Sequence, residues 1–172
     1  MSIPQSGGGQ IENMNQLSEY LESGCKLTKD WRIGTEHEKF GFDKSTLKPL
    51  PYEGSCSIKS MLEGLRDTFD WTPVYEQDNL IGLEKNGADV SLEPGGQLEL
   101  SGAPLESIHQ TCDEANLHLK EVKQIADKIG AGFLGLGAAP IWSHEDMHMM
   151  PKGRYRLMTD YMDQVGTHGK QM

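Results

Sequence analysis

Four glutamates in two short stretches carry the chemistry of this chain. The first stretch runs from Gly34 to Phe42 and reads GTEHEKFGF; the second, from Ser91 to Leu100, reads SLEPGGQLEL. Side chains of a strand alternate between its faces, so Glu36 and Glu38 point to one side if Arg32 to Phe42 is extended. Gln97 and Glu99 share a side in the same way, opposite Leu98 and Leu100. Two carboxylates so placed lie only about 7 Å apart. Like charges at that spacing repel unless a cation or a proton intervenes. Hard oxygen ligands suit Mg²⁺, which tends to bring phosphates with it. Either stretch alone fits a solvated strand face equally well. Together, each followed by glycine and flanked by apolar residues, they favour a metal-binding floor.

A second constellation is basic. Lys152, Arg154 and Arg156 fall within Met150–Arg156 of a chain whose formal net charge is −10. Arginine forks grip carboxylates and phosphates bidentately. A solvated basic turn accounts for the same residues, and their sequence alone does not separate the two readings.

The elements that must position these groups follow from periodicity. Residues 1–12 read as a flexible lead-in centred on Ser6-Gly7-Gly8-Gly9. A short helix is predicted from about Asn15 to Glu22, with Leu17, Tyr20 and Leu21 facing inward. A strand from Trp31 to Phe42 carries the first acidic stretch. Ser57 to Thr68 reads as a helix with Ile58, Met61, Leu62 and Leu65 on one face. Asn79 to Leu92 reads as a hairpin turning at Asn86-Gly87, with Val90 and Leu92 on one face and Asp89, Ser91 and Glu93 on the other. Gln97 to Leu100 resumes the strand after Pro94-Gly95-Gly96. The longest helix follows Pro104 and stops at Gly130, its seam formed by Leu105, Ile108, Cys112, Ala115, Leu119, Val122, Ala126 and Ile129. The small residues in that seam fit packing on a sheet better than a coiled coil. This order indicates an α+β fold with an antiparallel sheet.

Two literal motif matches mislead. Gly130-Ala131-Gly132-Phe133-Leu134-Gly135 satisfies G-x-G-x-x-G, but a dinucleotide fingerprint must open a helix and this one closes it. A helix cap followed by a small-residue strand explains it better. His144-Glu145-Asp146-Met147-His148 satisfies H-E-x-x-H, yet Pro140 and Pro151 leave no room for the long helix that a zinc peptidase needs. A polar loop or a single helical turn is expected instead.

Size and charge narrow the class. The 172 residues suffice for one domain with a real core. The acidic balance argues against nucleic acid and anionic membranes as partners, and no apolar run approaches a membrane span. Met1 to Gln10 has neither the basic region nor the apolar core of a signal peptide. Cys25, Cys56 and Cys112 are odd in number and scattered, which suggests reduced thiols in a cytoplasmic protein.

GTEHEKFGF, SLEPGGQLELSGAPLESIHQTCDE and MPKGRYRLMTDYM together resemble the plant and proteobacterial type of glutamate–cysteine ligase, over nearly everything from Gly24 to Met172. The resemblance implies ATP and Mg²⁺ as cofactors and glutamate and cysteine as substrates. The γ-carboxylate of glutamate is phosphorylated and the amine of cysteine attacks it, the first step of glutathione synthesis. A related ligase coupling glutamate to another amine is the runner-up, with an inactive fragment behind it. The implied fold is a curved antiparallel sheet funnel with outer helices, similar to the glutamine synthetase catalytic domain. Glu36, Glu38, Glu93 and Glu99 match the implied metal ligands. Glu99, Gln97 and Tyr155 match the substrate- and cofactor-binding positions, and Arg154 and Arg156 the catalytic anion clamp. Members of the family are far longer, so residues 13–172 are expected to be the N-terminal part of a single ligase catalytic domain, incomplete here. The resemblance leaves the oligomeric state open.

Overall fold

The computed structural model describes residues 9–169. The lead-in expected over residues 1–12 therefore lies mostly outside the described residues; residues 9–12 are exposed and carry no helix or strand. Four helices and six strands are formed among the described residues. They follow in the order α1 (Met14–Ser23), β1 (Glu36–Asp43), α2 (Ile58–Phe69), β2 (Thr72–Glu76), β3 (Asn79–Lys85), β4 (Ala88–Leu92), β5 (Leu98–Ser101), α3 (Ile108–Ile129), β6 (Ala131–Leu134) and α4 (Gly153–Val165). The strands make one curved, unclosed antiparallel sheet in the order β2-β3-β4-β5-β1-β6.

Local chemistry sets the boundaries. Asn13 caps α1 and Ser107 caps α3, each closing a capping box with the glutamine three residues on. Ser57 caps α2 by accepting from the Ser60 N–H. The β3–β4 turn places Asn86 and Gly87 at φ 53° and 83°, the paired positive angles that a tight hairpin of the right twist requires. β2, with Pro73 inside it, is at the sheet edge, where a missing N–H costs least.

The sheet separates its two faces by charge. Val90, Leu92, Leu98 and Leu100 pack against Ile58, Met61, Leu62 and Leu65 of α2 and Val122, Ile125 and Ala126 of α3. Full burial of one such side chain contributes about 1.5–3 kcal/mol, so this layer holds the fold together. Residues directly opposite in an antiparallel pair share a face. The register Asp89↔Ser101↔Glu36 and Ser91↔Glu99↔Glu38 therefore gathers the polar and acidic residues on the other face.

Two expectations fail in their packing. Leu17, Tyr20 and Leu21 of α1 do not face a core: Tyr20 and Leu21 are about three-quarters exposed and no residue of α1 is buried. The helix forms from its cap and local propensity, without a layer to cover it. On α3 the expected seam holds only in the second half, at Val122, Ala126 and Ile129. In the first half Ile108, Cys112 and Leu119 are exposed, and Thr111 and His118 are buried in their stead. Polar groups are buried at this end of the layer on both elements: Thr111 satisfies its hydroxyl on the Ser107 and Ile108 carbonyls of its own helix, and Lys39 of β1, opposite Leu98, donates from Nζ to the His37 carbonyl at 2.7 Å. Glu121 accepts from the Trp71 indole at 3.0 Å, which satisfies another buried polar group.

The misleading glycine motif behaves as a cap and a strand. Gly130 ends α3 in the left-handed region at φ 78°. Gly132 then faces Phe42 across β1 and β6 so closely that a Cβ on it would fall 2.4 Å from the ring.

Candidate active site

The second acidic stretch folds into a tight turn between β4 and β5. The Glu93 N–H donates to the Gln97 carbonyl at 2.8 Å and the Gly96 N–H to the Glu93 carbonyl at 3.0 Å. Gly95 and Gly96 sit at φ 74° and 82°, a region costly for any residue with a Cβ. This turn aims Glu93 and Gln97 over the acidic face, and α4 closes on it. The Tyr155 hydroxyl bridges the Leu92 carbonyl (2.8 Å) and the Glu93 carboxylate (3.2 Å). Lys152 donates to the same carbonyl at 2.6 Å and lies 3.9 Å from Glu93, while an Arg154 guanidinium nitrogen is 3.4 Å from it. Lys152 and Arg154 also flank the Tyr155 ring, at 5.5 and 5.2 Å from its centroid. Glu93 is thus held by two cations and a phenol.

A cavity of about 420 Å³ opens beside this cluster. Glu38, Glu93, Gln97 and Tyr155 line it from the sheet side and from α4. Glu99 lies one strand over from Glu38, accepting from Ser91 and Ser101 at 3.4 and 3.2 Å. Glu36 is exposed at the rim end of β1. Arg154 and Arg156 are both exposed and outside the cavity lining; Arg154 reaches Glu93 from there, and Arg156 does not.

The electrostatics show the crowding that the sequence implies. The Glu38 carboxyl is raised above the ordinary carboxylate range, first by partial burial and then by Glu99, Glu93 and Glu36. Asp89, on the same face, is raised by burial and by Glu99. Lys152 is pushed down to about 8 because burial outweighs the pull of Glu93. Burial also raises the Tyr155 phenol, which keeps it a neutral donor to Glu93. As they stand, no three His, Cys, Asp or Glu side chains among the described residues converge on one point that could hold an ion. The donor set nevertheless fits Mg²⁺ by chemistry: hard carboxylate oxygens, mutually destabilised, on one sheet face.

The H-E-x-x-H segment is a single 3₁₀ turn, His144–Asp146, as expected of its short span. Asp146 pairs with Lys48 at 2.7 Å, and Trp142 donates to the Leu47 carbonyl at 2.9 Å while meeting Phe40 edge-on. These contacts make the segment a wall of the cavity, to which it contributes His144, Met147, His148 and Met149. Sequence reasoning missed this wall and α4. The spacing of Tyr155, Met158, Thr159 and Met162, which puts all four on one helix face over the cavity, was the available signal.

The model of glutamate-cysteine ligase family 2 matches residues 32–172. The chain belongs to that family. It is 54% identical over 156 residues to the chloroplastic glutamate–cysteine ligase of Medicago truncatula, a match covering 91% of this chain and 30% of that protein. Glutamate–cysteine ligase B of Oryza sativa subsp. japonica is 53% identical, with 91% and 31% covered, and the Arabidopsis thaliana enzyme 53%, with 91% and 29%. The chain spans about 30% of the length of these relatives. All three are named as chloroplastic, which overturns the cytoplasmic expectation. Scattered thiols report a reducing compartment and do not say which one.

Proposed function

We propose that this chain supplies the acidic floor and one anion-binding wall of a glutamate–cysteine ligase, which joins the γ-carboxylate of glutamate to the amine of cysteine at the expense of ATP. The observation that carries this reading is the convergence of Glu38, Glu93, Gln97 and Tyr155 on one cavity, with Glu99 beside Glu38, in a chain of this family.

Glu36, Glu38, Glu93 and Glu99 are the residues that would hold Mg²⁺, which when bound offsets the charge of phosphate oxygens in such sites. The sheet fixes Glu38 and Glu99 as register partners, so neither must be ordered at the moment of reaction. Arg154 carries a guanidinium to the rim, its side chain 44% exposed and tied by the long contact to Glu93. It is free to turn toward an incoming carboxylate or phosphate. Lys152, buried and bonded to the Leu92 carbonyl, instead positions Glu93 from beneath. Tyr155 orients the same carboxylate and fills the base of the cavity. Gln97 offers a neutral amide for a substrate polar group. Arg156, on the turn of α4 next to Arg154, is assigned the outer part of the anion clamp on its charge and its neighbourhood in the chain alone.

The test is product formation by the longest natural polypeptide containing this sequence, given glutamate, cysteine and MgATP. γ-Glutamylcysteine and ADP are expected in equal amounts. Phosphate release with a different amine and none with cysteine would replace this reading by the related ligase.

A further inference from the structure

Glu99 sits on β5, between β4 and β1 in the sheet, and only 4% of it is exposed. Its carboxylate is held at both oxygens. Ser91, its register partner on β4, donates to Oε2 at 3.4 Å. Ser101, two residues further along β5, donates to Oε1 at 3.2 Å. Strand alternation and the β4–β5 register bring all three side chains to the acidic face.

The hydroxyls hold Glu99 differently from the way Glu93 is held. Glu93 meets Lys152, Arg154 and Tyr155, and the two cations offset its charge. A serine hydroxyl fixes a carboxylate without adding charge. An ionised carboxylate accepts at about four lone-pair positions, so one donor on each oxygen leaves positions open for a cation. Ser91 is fully buried, where a hydroxyl needs a protein partner, so its bond to Glu99 is not traded for one to bulk water.

Resting on the metal floor of the proposed ligase, we infer that Ser91 and Ser101 are positioning residues: they fix the rotation of the Glu99 carboxylate, so that it meets a divalent cation already oriented. Without them the carboxylate turns about its terminal bond, and binding a cation must arrest that rotation at a cost in entropy. Removing the hydrogen-bond partner of a metal ligand typically costs about 10–100-fold in metal affinity or activity.

The experiment measures cation affinity directly, through the loss of the free Mn²⁺ spin-resonance signal. It uses the longest natural polypeptide containing this sequence and its Ser91→Ala, Ser101→Ala and Ser101→Thr variants. Each alanine variant is expected to weaken Mn²⁺ binding by about 10-fold or more, while threonine keeps the hydroxyl and stays within about threefold of the parent. In a Glu99→Gln background, Ser101→Ala should change the affinity little further, because its route through Glu99 is gone. The Mg²⁺ concentration for half-maximal γ-glutamylcysteine synthesis should rise in step in the alanine variants. Unchanged Mn²⁺ affinity in both alanine variants overturns the inference alone, whatever happens to the melting temperature. A loss as large in Ser101→Thr, or one that adds in full to that of Glu99→Gln, also overturns it and makes the serines packing residues. A parent that binds Mn²⁺ but makes no γ-glutamylcysteine from glutamate, cysteine and MgATP overturns the ligase reading, and the Mn²⁺ affinities of the variants still decide the inference. A parent that binds no Mn²⁺ overturns the inference together with the metal floor on which it rests.

Discussion

Glu38 on β1 and Glu99 on β5 stand directly opposite one another and point to the same side of the sheet. Backbone pairing thus forces two carboxylates together that would otherwise separate. Partial burial and three neighbouring glutamates raise the Glu38 carboxyl, so the folded chain stores unfavourable charge that a divalent cation would relieve.

Neutralising Glu38 or Glu99 should therefore separate function from stability. Glu38→Gln and Glu99→Gln are each expected to cut kcat by about 100-fold or more, since metal charge stabilisation is worth several kcal/mol. The melting temperature of Glu38→Gln should equal or exceed that of the parent, because a like-charge contact is lost. Steady-state kinetics at saturating Mg²⁺ and a thermal melt read both effects; near-normal kinetics would remove that residue from the metal floor.

Tyr155 offers a test of how α4 is fastened to the site. Its buried hydroxyl holds both the Leu92 carbonyl and Glu93. Tyr155→Phe keeps the ring and deletes those bonds, and should cost about 1–2 kcal/mol of stability. Denaturant unfolding measures it directly. A loss well below this range would mean that Lys152 alone satisfies the carbonyl.

Much of the site was legible because strand alternation is rigid. Once Glu36, Glu38, Gln97 and Glu99 are put on strands, their shared face follows, and Asp89 and Ser91 join them through the hairpin that Asn86-Gly87 fixes. Helix faces were less legible. Period alone places Ile108 and Leu119 inward, but the buried side of α3 is set by how the helix docks on the layer, which buries Thr111 and His118 and leaves those two residues exposed. α4 was not anticipated at all. Its stretch reads as a basic segment because Lys152, Arg154 and Arg156 dominate it and draw attention from the helical spacing of Tyr155, Met158, Thr159 and Met162.

His118 makes stability depend on pH. It is buried, with neither ring nitrogen hydrogen-bonded, and burial together with Lys39 and His37 pushes its pKa down to about 3. The unfolded chain holds this imidazole near its usual pKa of about 6.5. Between those values the unfolded state binds the extra proton, so the contribution is complete above about pH 6.5 and is lost as pH falls toward 3. The slope should approach, at most, about 1.4 kcal/mol per pH unit. Urea unfolding from about pH 7 to 5 should show the parent weakening more steeply than His118→Leu; parallel curves would show that His118 titrates normally in the fold.

The cysteines should differ in reactivity. Cys25 and Cys112 are exposed and free, whereas Cys56 is half-buried and its thiol is raised first by burial and then by Asp43. Timed alkylation followed by mass spectrometry should label Cys25 and Cys112 well before Cys56. No disulfide is expected between any two of the three. A linked pair among them, with activity changing on reduction, would reveal a redox switch within this segment.

The most direct measurement follows the oxygen of the glutamate side chain. Glutamate carrying heavy oxygen in its γ-carboxylate is supplied with cysteine and MgATP to the longest natural polypeptide containing this sequence, and the released phosphate is weighed by mass spectrometry. If the acidic floor serves phosphorylation of that carboxylate, each γ-glutamylcysteine formed is matched by one heavy oxygen in phosphate. Product formed with unlabelled phosphate, or phosphate released with no γ-glutamylcysteine, would contradict it.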